Sequence, residues 1–477
     1  MSNGNDLGLG TSADAADRSG TLARLFAGAA GSDSAGPVLP WFARGTWGAV
    51  LCAAYPVLAL APATAVRIMA PDADHSPVAE LGITCALVGF TMVSLQFVLT
   101  ARLRWVEAPF GLDVLLRFHR IMGLAAVGLL CAHPLLVAAG EGWGLLTRLH
   151  APWFIWTGRI ALALLVGQVI AALLRGAMRL PYEHWRRAHN AVAVGVLALG
   201  LLHAVGAGDD LHGRVLLIWS AAPALACAML LYSRGIRPCV LARRAFRVHC
   251  VRAETPRVWT VVLDAPEGRP FHFLPGQFQF LRLLGSDVPS EEHPFTIASS
   301  PLRSDRIALT IKACGDFTAC VGLIRPGDRA TVHGPFGRFC PELHPEEGDL
   351  VMVAGGVGIT PMMSILRAMR ERREARRVTL VYASRTAEDL PFTTELTAME
   401  SGRCPLLRVV YVLSAPPAWW TGETGRVDVR RIEEWCGGLE GKGFYICCPP
   451  SMNVQLVAGL RRRGVSRQTI HCDHFSL

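Results

Sequence analysis

Four histidines lie at matched spacings inside long apolar stretches: His119 and His133 in one, His189 and His203 in another. Within each pair the two residues are 14 positions apart. An α-helix turns about 100° per residue, so 14 residues come within roughly 40° of four full revolutions, and each pair shares one helix face about 21 Å apart along the axis. If the two stretches run parallel, His119 lies level with His189 and His133 with His203. Imidazole is an axial ligand for haem iron, and two imidazoles leave a six-coordinate iron suited to electron transfer. A single such histidine is more simply read as hydrogen-bond glue between helices. Two pairs with the same spacing favour two stacked bis-histidine sites, each holding a b-type haem. His184 is a nearby rival ligand, but it breaks the matched spacing.

The elements that must position these rings are membrane spans. Six apolar stretches run over roughly 45–69, 79–101, 113–139, 155–175, 186–207 and 213–233. Each has the ~20 residues needed to cross a bilayer as a helix. Ionisable groups in such segments are costly and usually functional. Arg102, Arg104, Arg117, Arg120, Arg175, Arg179, Arg186, Arg187, Arg234, Arg237, Arg243 and Arg244 cluster on alternate connections. The opposite connections carry Asp72, Asp74, Glu141, Asp209 and Asp210 with few arginines. The positive-inside rule then predicts a multi-pass cell-membrane protein with both termini cytoplasmic and with spans three and five parallel. Arg117, Arg120, Arg186 and Arg187 could meet the propionates of the inner haem; the positive-inside rule accounts for them equally well. Residues 1–40, rich in Gly, Ala, Ser and Asp, read as a disordered cytoplasmic tail.

Beyond residue 240 the pattern changes. Short β segments broken by Gly and Pro (Val258–Leu263, Gln277–Leu284, Ile307–Lys312, Ala330–Val332) predict a small antiparallel barrel. His293, Pro294, Phe295 and Thr296 fall at the end of a barrel loop, where an aromatic face and a hydroxyl suit a flavin ring. Lys312 and the Gly315–Thr318 segment offer charge, backbone access and the Thr318 hydroxyl for ribityl and pyrophosphate groups. From Leu350 strands and helices alternate, which predicts a parallel nucleotide-binding sheet. Gly355, Gly356 and Gly358 end its first strand and let the backbone approach a pyrophosphate, with Thr360 as candidate N-cap and Pro361 in the first helical turn. Ser384 and Arg385 end the next strand and could hold an adenosine 2′-phosphate, which leans the nucleotide toward NADPH over NADH. Cys447 ends the last parallel strand, where nicotinamide chemistry belongs.

Composition narrows the classes. Of 477 residues, 51% are hydrophobic and 18% charged, against about 25% charged in soluble globular chains. This disfavours a purely cytosolic enzyme and excludes a disordered or nucleic-acid-coating protein. The net charge of +9 is almost all arginine, Lys312 and Lys442 being the two lysines. The 14 cysteines form no C-x2-C pair, which excludes a zinc ribbon and a fused plant-type iron–sulfur domain.

Taken together, residues 45–477 resemble the ferric reductase / NADPH oxidase superfamily of membrane flavocytochromes. The paired histidines resemble its haem ligands, and His293–Thr296 its flavin motif. Gly355–Pro361 resembles its pyridine-nucleotide loop, and Cys447–Met452 its Cys-Gly-Pro-Pro-x-Met motif with Cys448 in place of Gly. The tail His471–Leu477 is similar too, with Asp473 for the commoner Glu and Phe475 as its aromatic. The resemblance implies a six-helix transmembrane bundle, then an antiparallel β-barrel flavin domain, then an α/β parallel-sheet nucleotide-binding domain. The expected boundaries are 1–40 tail, 41–236 haem-binding bundle, 240–345 FAD barrel and 346–477 NAD(P) domain. It implies that Cys447 sits beside the nicotinamide C4. It also implies that electrons pass from cytoplasmic NAD(P)H through FAD and two haems to an extracytoplasmic acceptor: oxygen, a ferric chelate or another metal. Membrane lipid is the surrounding partner, and no nucleic acid is expected. Two other readings stay open: a membrane-anchored flavin reductase with structural histidines, and a six-span transporter with a regulatory nucleotide domain.

Overall fold

Runs of apolar residues too long for a soluble core helix set the N-terminal half. In the computed structural model they form six helices: α1 (Thr46–Met69), α2 (Pro77–Thr100), α3 (Leu112–Glu141), α4 (Trp153–Leu174), α5 (Tyr182–Ala207) and α6 (Gly213–Leu231). All six are long and apolar enough to span a membrane. The structure describes residues 45–69, 75–178, 180, 182–207, 213–285 and 287–473. The 1–40 segment, Asp72, Asp74, Arg179, Asp209, Asp210 and Phe475 lie outside these residues.

The chain divides into two units, Gly45–Pro238 and one that contains Cys239–Leu477. In the first, α2 is the most enclosed helix and packs along α3, while α4 packs along α5. Ser76 caps α2, its hydroxyl accepting from the Ala79 N–H, with Pro77 in the first turn. Gly140 lies against Ser76, where a Cβ would clash with that hydroxyl. Phe90 of α2 stacks on Trp219 of α6 at 5.8 Å. Arg159, near one end of α4, turns back to the preceding loop and donates to the carbonyls of Leu145 and Arg148.

In the second unit, alternation makes the strands. In β5 (Arg306–Lys312), Ile307, Leu309 and Ile311 point inward and are buried. With β1 (Phe246–Thr255), β2 (Val258–Asp264), β3 (Phe278–Leu284), β4 (His293–Thr296) and β6 (Arg329–Phe336), β5 builds an antiparallel sheet of order β4-β3-β6-β1-β2-β5. A bridge between Ile297 and Leu309 joins its two edges and closes it. His293–Thr296 is therefore a strand, and not the end of a loop as the sequence suggests; its four residues pair with Phe278–Leu281.

The remaining strands are β7 (Leu350–Gly355), β8 (Arg377–Ser384), β9 (Leu406–Leu413), β10 (Glu423–Thr424), β11 (Gly443–Cys447) and β12 (Ile470–Cys472), all parallel, in the order β10-β9-β8-β7-β11-β12. Helices α7 (Ile359–Glu371) and α8 (Thr393–Glu400) cover one face, and α9 (Val429–Cys436) and α10 (Pro450–Arg462) the other. Sandwiched this way, Leu350–Ala354 is buried on both faces, which explains its unbroken apolar run. Strand order reverses between β7 and β11, and ligands of open α/β sheets bind at such a point, beyond the C-terminal strand ends.

Candidate functional site

Two helices, α3 and α5, carry the four histidines. Ala126 of α3 and Val196 of α5 belong to one apolar cluster between the two histidine levels. His119 and His189 have ring centroids 6.4 Å apart, and His133 and His203 6.2 Å. Two imidazoles bound to opposite sides of one metal ion, at about 2 Å per bond, have centroids roughly 6 Å apart. Gly123 of α3, one turn from His119 on the same helix face, has nothing within 4 Å of where a Cβ would stand. Spacing and room together fit a flat group held between the helices.

The two levels differ in how the rings are held. In one pair His133 Nδ1 lies 3.0 Å from the Gly82 carbonyl and His203 Nδ1 2.9 Å from that of Phe154. A carbonyl only accepts, so each Nδ1 carries the proton and each Nε2 keeps its lone pair for a metal. Gly158 makes room for His203: a Cβ there would come 2.7 Å from Nδ1. In the other pair neither His119 nor His189 has a partner for its buried Nδ1 among the described residues. His189 instead stacks on Trp185 at 5.1 Å, and Arg175 lies over the Trp185 ring. Gly82, Gly158 and Trp185 are positioning residues that the histidine spacing gives no sight of. Trp185 alone has a local signal, its one-turn offset from His189.

In the barrel, Phe295 stacks on Phe317 with centroids 6.0 Å apart, and His293 lies 4.3 Å from the same ring. Pro294 pairs with Phe280 in the strand, and Thr296 is buried. Gln279, opposite Phe295 in register, is fully buried with neither amide atom partnered among the described residues. Buried amides rarely stay unpaired, so the barrel has a place for a polar guest beside Phe295. Thr318 accepts from the N–H groups of Cys314 and Gly315 and so caps its own short helix. Its hydroxyl is therefore already committed to the backbone. Lys312 pairs with Asp389 at 3.7 Å, across to the nucleotide-binding sheet. Ser364 donates to the Ser299 carbonyl and Arg367 to that of Ala298, fixing α7 against the barrel.

The glycine turn joins β7 to α7. The helix begins at Ile359 with Gly358 as its N-cap, so Thr360 lies inside the first turn and is not the cap. Its buried hydroxyl bonds back to the Val357 carbonyl. A Cβ on Gly355 would meet Pro449, and one on Gly358 would clash with the Cys447 carbonyl. These two glycines therefore allow the turn to pack on the end of β11. Gly356 differs: its φ is +57° and it faces open space, so it is the glycine that leaves room for a ligand. Cys447 is fully buried there. Burial, then the charges of Asp473, Cys448 and Cys472, push its thiol well above the ordinary range. It is a neutral thiol, not a thiolate nucleophile. Cys448, pushed up to about 12 chiefly by burial, directs its thiol to the Val353 carbonyl. Ser384 bonds to the Asp389 carbonyl at 3.5 Å, while Arg385 is exposed with no side-chain partner among the described residues.

Three family models match in chain order: a ferric reductase like transmembrane component over residues 85–200, an FAD-binding domain over 244–322 and an oxidoreductase NAD-binding domain over 352–457. The chain belongs to the ferric reductase / NADPH oxidase-like flavocytochromes. It is a multi-pass membrane NAD(P)H oxidoreductase with FAD- and NAD-binding domains. Among curated proteins, the sulfhydrogenase 1 subunit gamma of Pyrococcus furiosus is 30% identical over 220 residues, 46% of this chain and 73% of that one. A component of the Na(+)-translocating NADH-quinone reductase of Pseudomonas paraeruginosa is 32% identical over 167 residues, and the match spans 34% of this chain and only 40% of the relative. NADH–cytochrome b5 reductase 1 of Arabidopsis thaliana is 31% identical over 195 residues, 39% of this chain and 69% of that one. Among solved structures, the cytochrome P450 reductase GcoB of Amycolatopsis has TM-score 0.43 at 25% identity, covering 49% of this chain and 69% of that one.

Proposed function

We propose that this flavocytochrome is a transmembrane electron conductor, taking electrons from cytoplasmic NAD(P)H to an acceptor across the membrane, either oxygen or a ferric or other metal chelate. The observation that carries the reading is the pair of facing imidazole couples in α3 and α5, with ring centroids 6.4 and 6.2 Å apart. His119 with His189, and His133 with His203, would each hold one b-type haem. When bound, FAD converts a two-electron hydride into single electrons and the haems accept them one at a time. The chain's own part is placement. Phe295, with His293, Pro294 and Thr296, would form the flavin ring's wall, and Lys312 and the Gly315–Thr318 backbone its phosphate side. Gly355, Gly356, Gly358 and Thr360 shape the turn that would receive the nucleotide pyrophosphate. Cys447 would set the height of the nicotinamide over the flavin, and Phe475 in the tail would flank the same ring. Both termini are assigned to the cytoplasm by the arginine-rich connections.

The free guanidinium of Arg385, beside Ser384, supports NADPH as the preferred donor. Arg385→Ala is expected to raise KM for NADPH about ten-fold or more, the cost of one charge-assisted hydrogen bond. KM for NADH should stay nearly unchanged. Equal effects on both cofactors, read by steady-state oxidation, would make Arg385 an ordinary surface residue. The experiment that tests the function itself is electron transfer across a sealed bilayer from NAD(P)H to a trapped, impermeant acceptor.

A further inference from the structure

A second constellation lies in the nucleotide-binding domain, away from the glycine turn. That turn follows β7; the new group precedes it. His344 and Glu347 sit on a tight turn, the Glu347 N–H donating to the His344 carbonyl. His471 comes from β12, 124 residues further on than Glu347. Parallel pairing sets His471 opposite Tyr445 of β11, with their rings 4.6 Å apart. The His344 and His471 rings lie 4.0 Å apart. One ligand atom from each of His344, Glu347 and His471 falls within 4.8 Å of the others.

The Glu347 side chain is only 2% exposed. A buried carboxylate needs compensating charge. One oxygen accepts from the Tyr445 hydroxyl at 2.8 Å, a bond that orients the carboxylate. The other faces His471 Nε2 at 2.5 Å. Gly443 is required beside it, because a Cβ there would clash with Glu347 Oε2. His344, 21% exposed, leaves the group open to solvent on one side.

We propose that His344, Glu347 and His471 form a zinc site that clips β12 to the turn before β7. Two imidazoles and one carboxylate are a donor set zinc favours, with a fourth position left for water. Ligation would replace the proton between His471 and Glu347, which is released. At zinc–ligand bonds of about 2.0–2.1 Å in a tetrahedral array, those two atoms open to roughly 3.3 Å. The clip would hold β12, the edge strand beside β11, in its place in the sheet. This inference does not depend on the haem or acceptor reading.

The test uses the purified full chain, without a polyhistidine tag, stripped with chelator and re-equilibrated with zinc, then assayed by elemental analysis against flavin content. Wild type should retain about one more zinc per chain than His344→Ala. His344→Ala leaves the Tyr445–Glu347–His471 bonds in place, so its flavin content should match wild type. Equal zinc in the two proteins, or none in wild type, overturns the site. If His344→Ala loses flavin through misfolding, cobalt(II) added to stripped wild type decides. Intense tetrahedral visible bands that zinc displaces support the site, and their absence refutes it.

Discussion

His133→Ala is expected to stop electron delivery across the membrane while flavin reduction by NAD(P)H stays within about two-fold of wild type. The two tasks are separate in the chain. Hydride transfer needs near-contact of nicotinamide and flavin, and groups outside that contact take no part in its geometry. His133 is held by the Gly82 carbonyl and faces His203 in the bundle, and it belongs to a different unit from Cys447 and Phe295. Removing its imidazole leaves that level with one ring. Haem content should fall from two to one per flavin in His133→Ala and likewise in His203→Ala. His119→Ala and His189→Ala should lose the inner haem instead. Reduced-minus-oxidised spectra and stopped-flow flavin bleaching read the two steps separately. Full haem content and normal turnover in all four variants would return the histidines to a structural role and favour a membrane-anchored reductase.

Cys447→Ala is expected to do the opposite. It should slow flavin bleaching on the order of 10²-fold and leave haem content unchanged. Cys447 is buried at the end of β11, and its carbonyl lies where Gly358 allows no side chain. A misplacement of about 1 Å at such a contact costs roughly that factor. Because burial keeps the thiol neutral, its contribution is shape. Cys447→Ser, close in volume, should recover part of the rate. Unchanged bleaching in Cys447→Ala under single-turnover conditions would remove the residue from the hydride site.

Long-period signals were legible in the sequence and short-range geometry was not. Six apolar runs mark the six helices within a few residues, since a membrane span needs length and little else. The 14-residue spacing anticipates which histidine faces which, because helical phase is fixed by local geometry. Strand β4 reads as a loop because Pro294 interrupts a four-residue segment whose pairing comes wholly from β3. Thr360 has the residue type of an N-cap, but the 3-10 turn Gly356–Gly358 starts the helix earlier. Thr318 offers a hydroxyl that the backbone itself uses. Gly82 and Gly158 matter through helices far away in sequence, and Glu347 meets His471 only after β12 joins the sheet. Contacts of that kind leave no periodic trace in one sequence.

In the proposed function, electrons cross the bilayer through this chain. The direct measurement uses sealed liposomes holding the purified, flavin- and haem-loaded protein, with an impermeant ferric chelate trapped inside. NAD(P)H is then added outside, where it reaches only the molecules whose nucleotide domain faces outward. Wild type is expected to reduce the trapped chelate and His133→Ala to leave it oxidised, although both oxidise NAD(P)H with an acceptor that takes electrons directly from flavin. A trapped chelate that stays oxidised in wild-type vesicles, with flavin reduced and haem present, would contradict the proposed function.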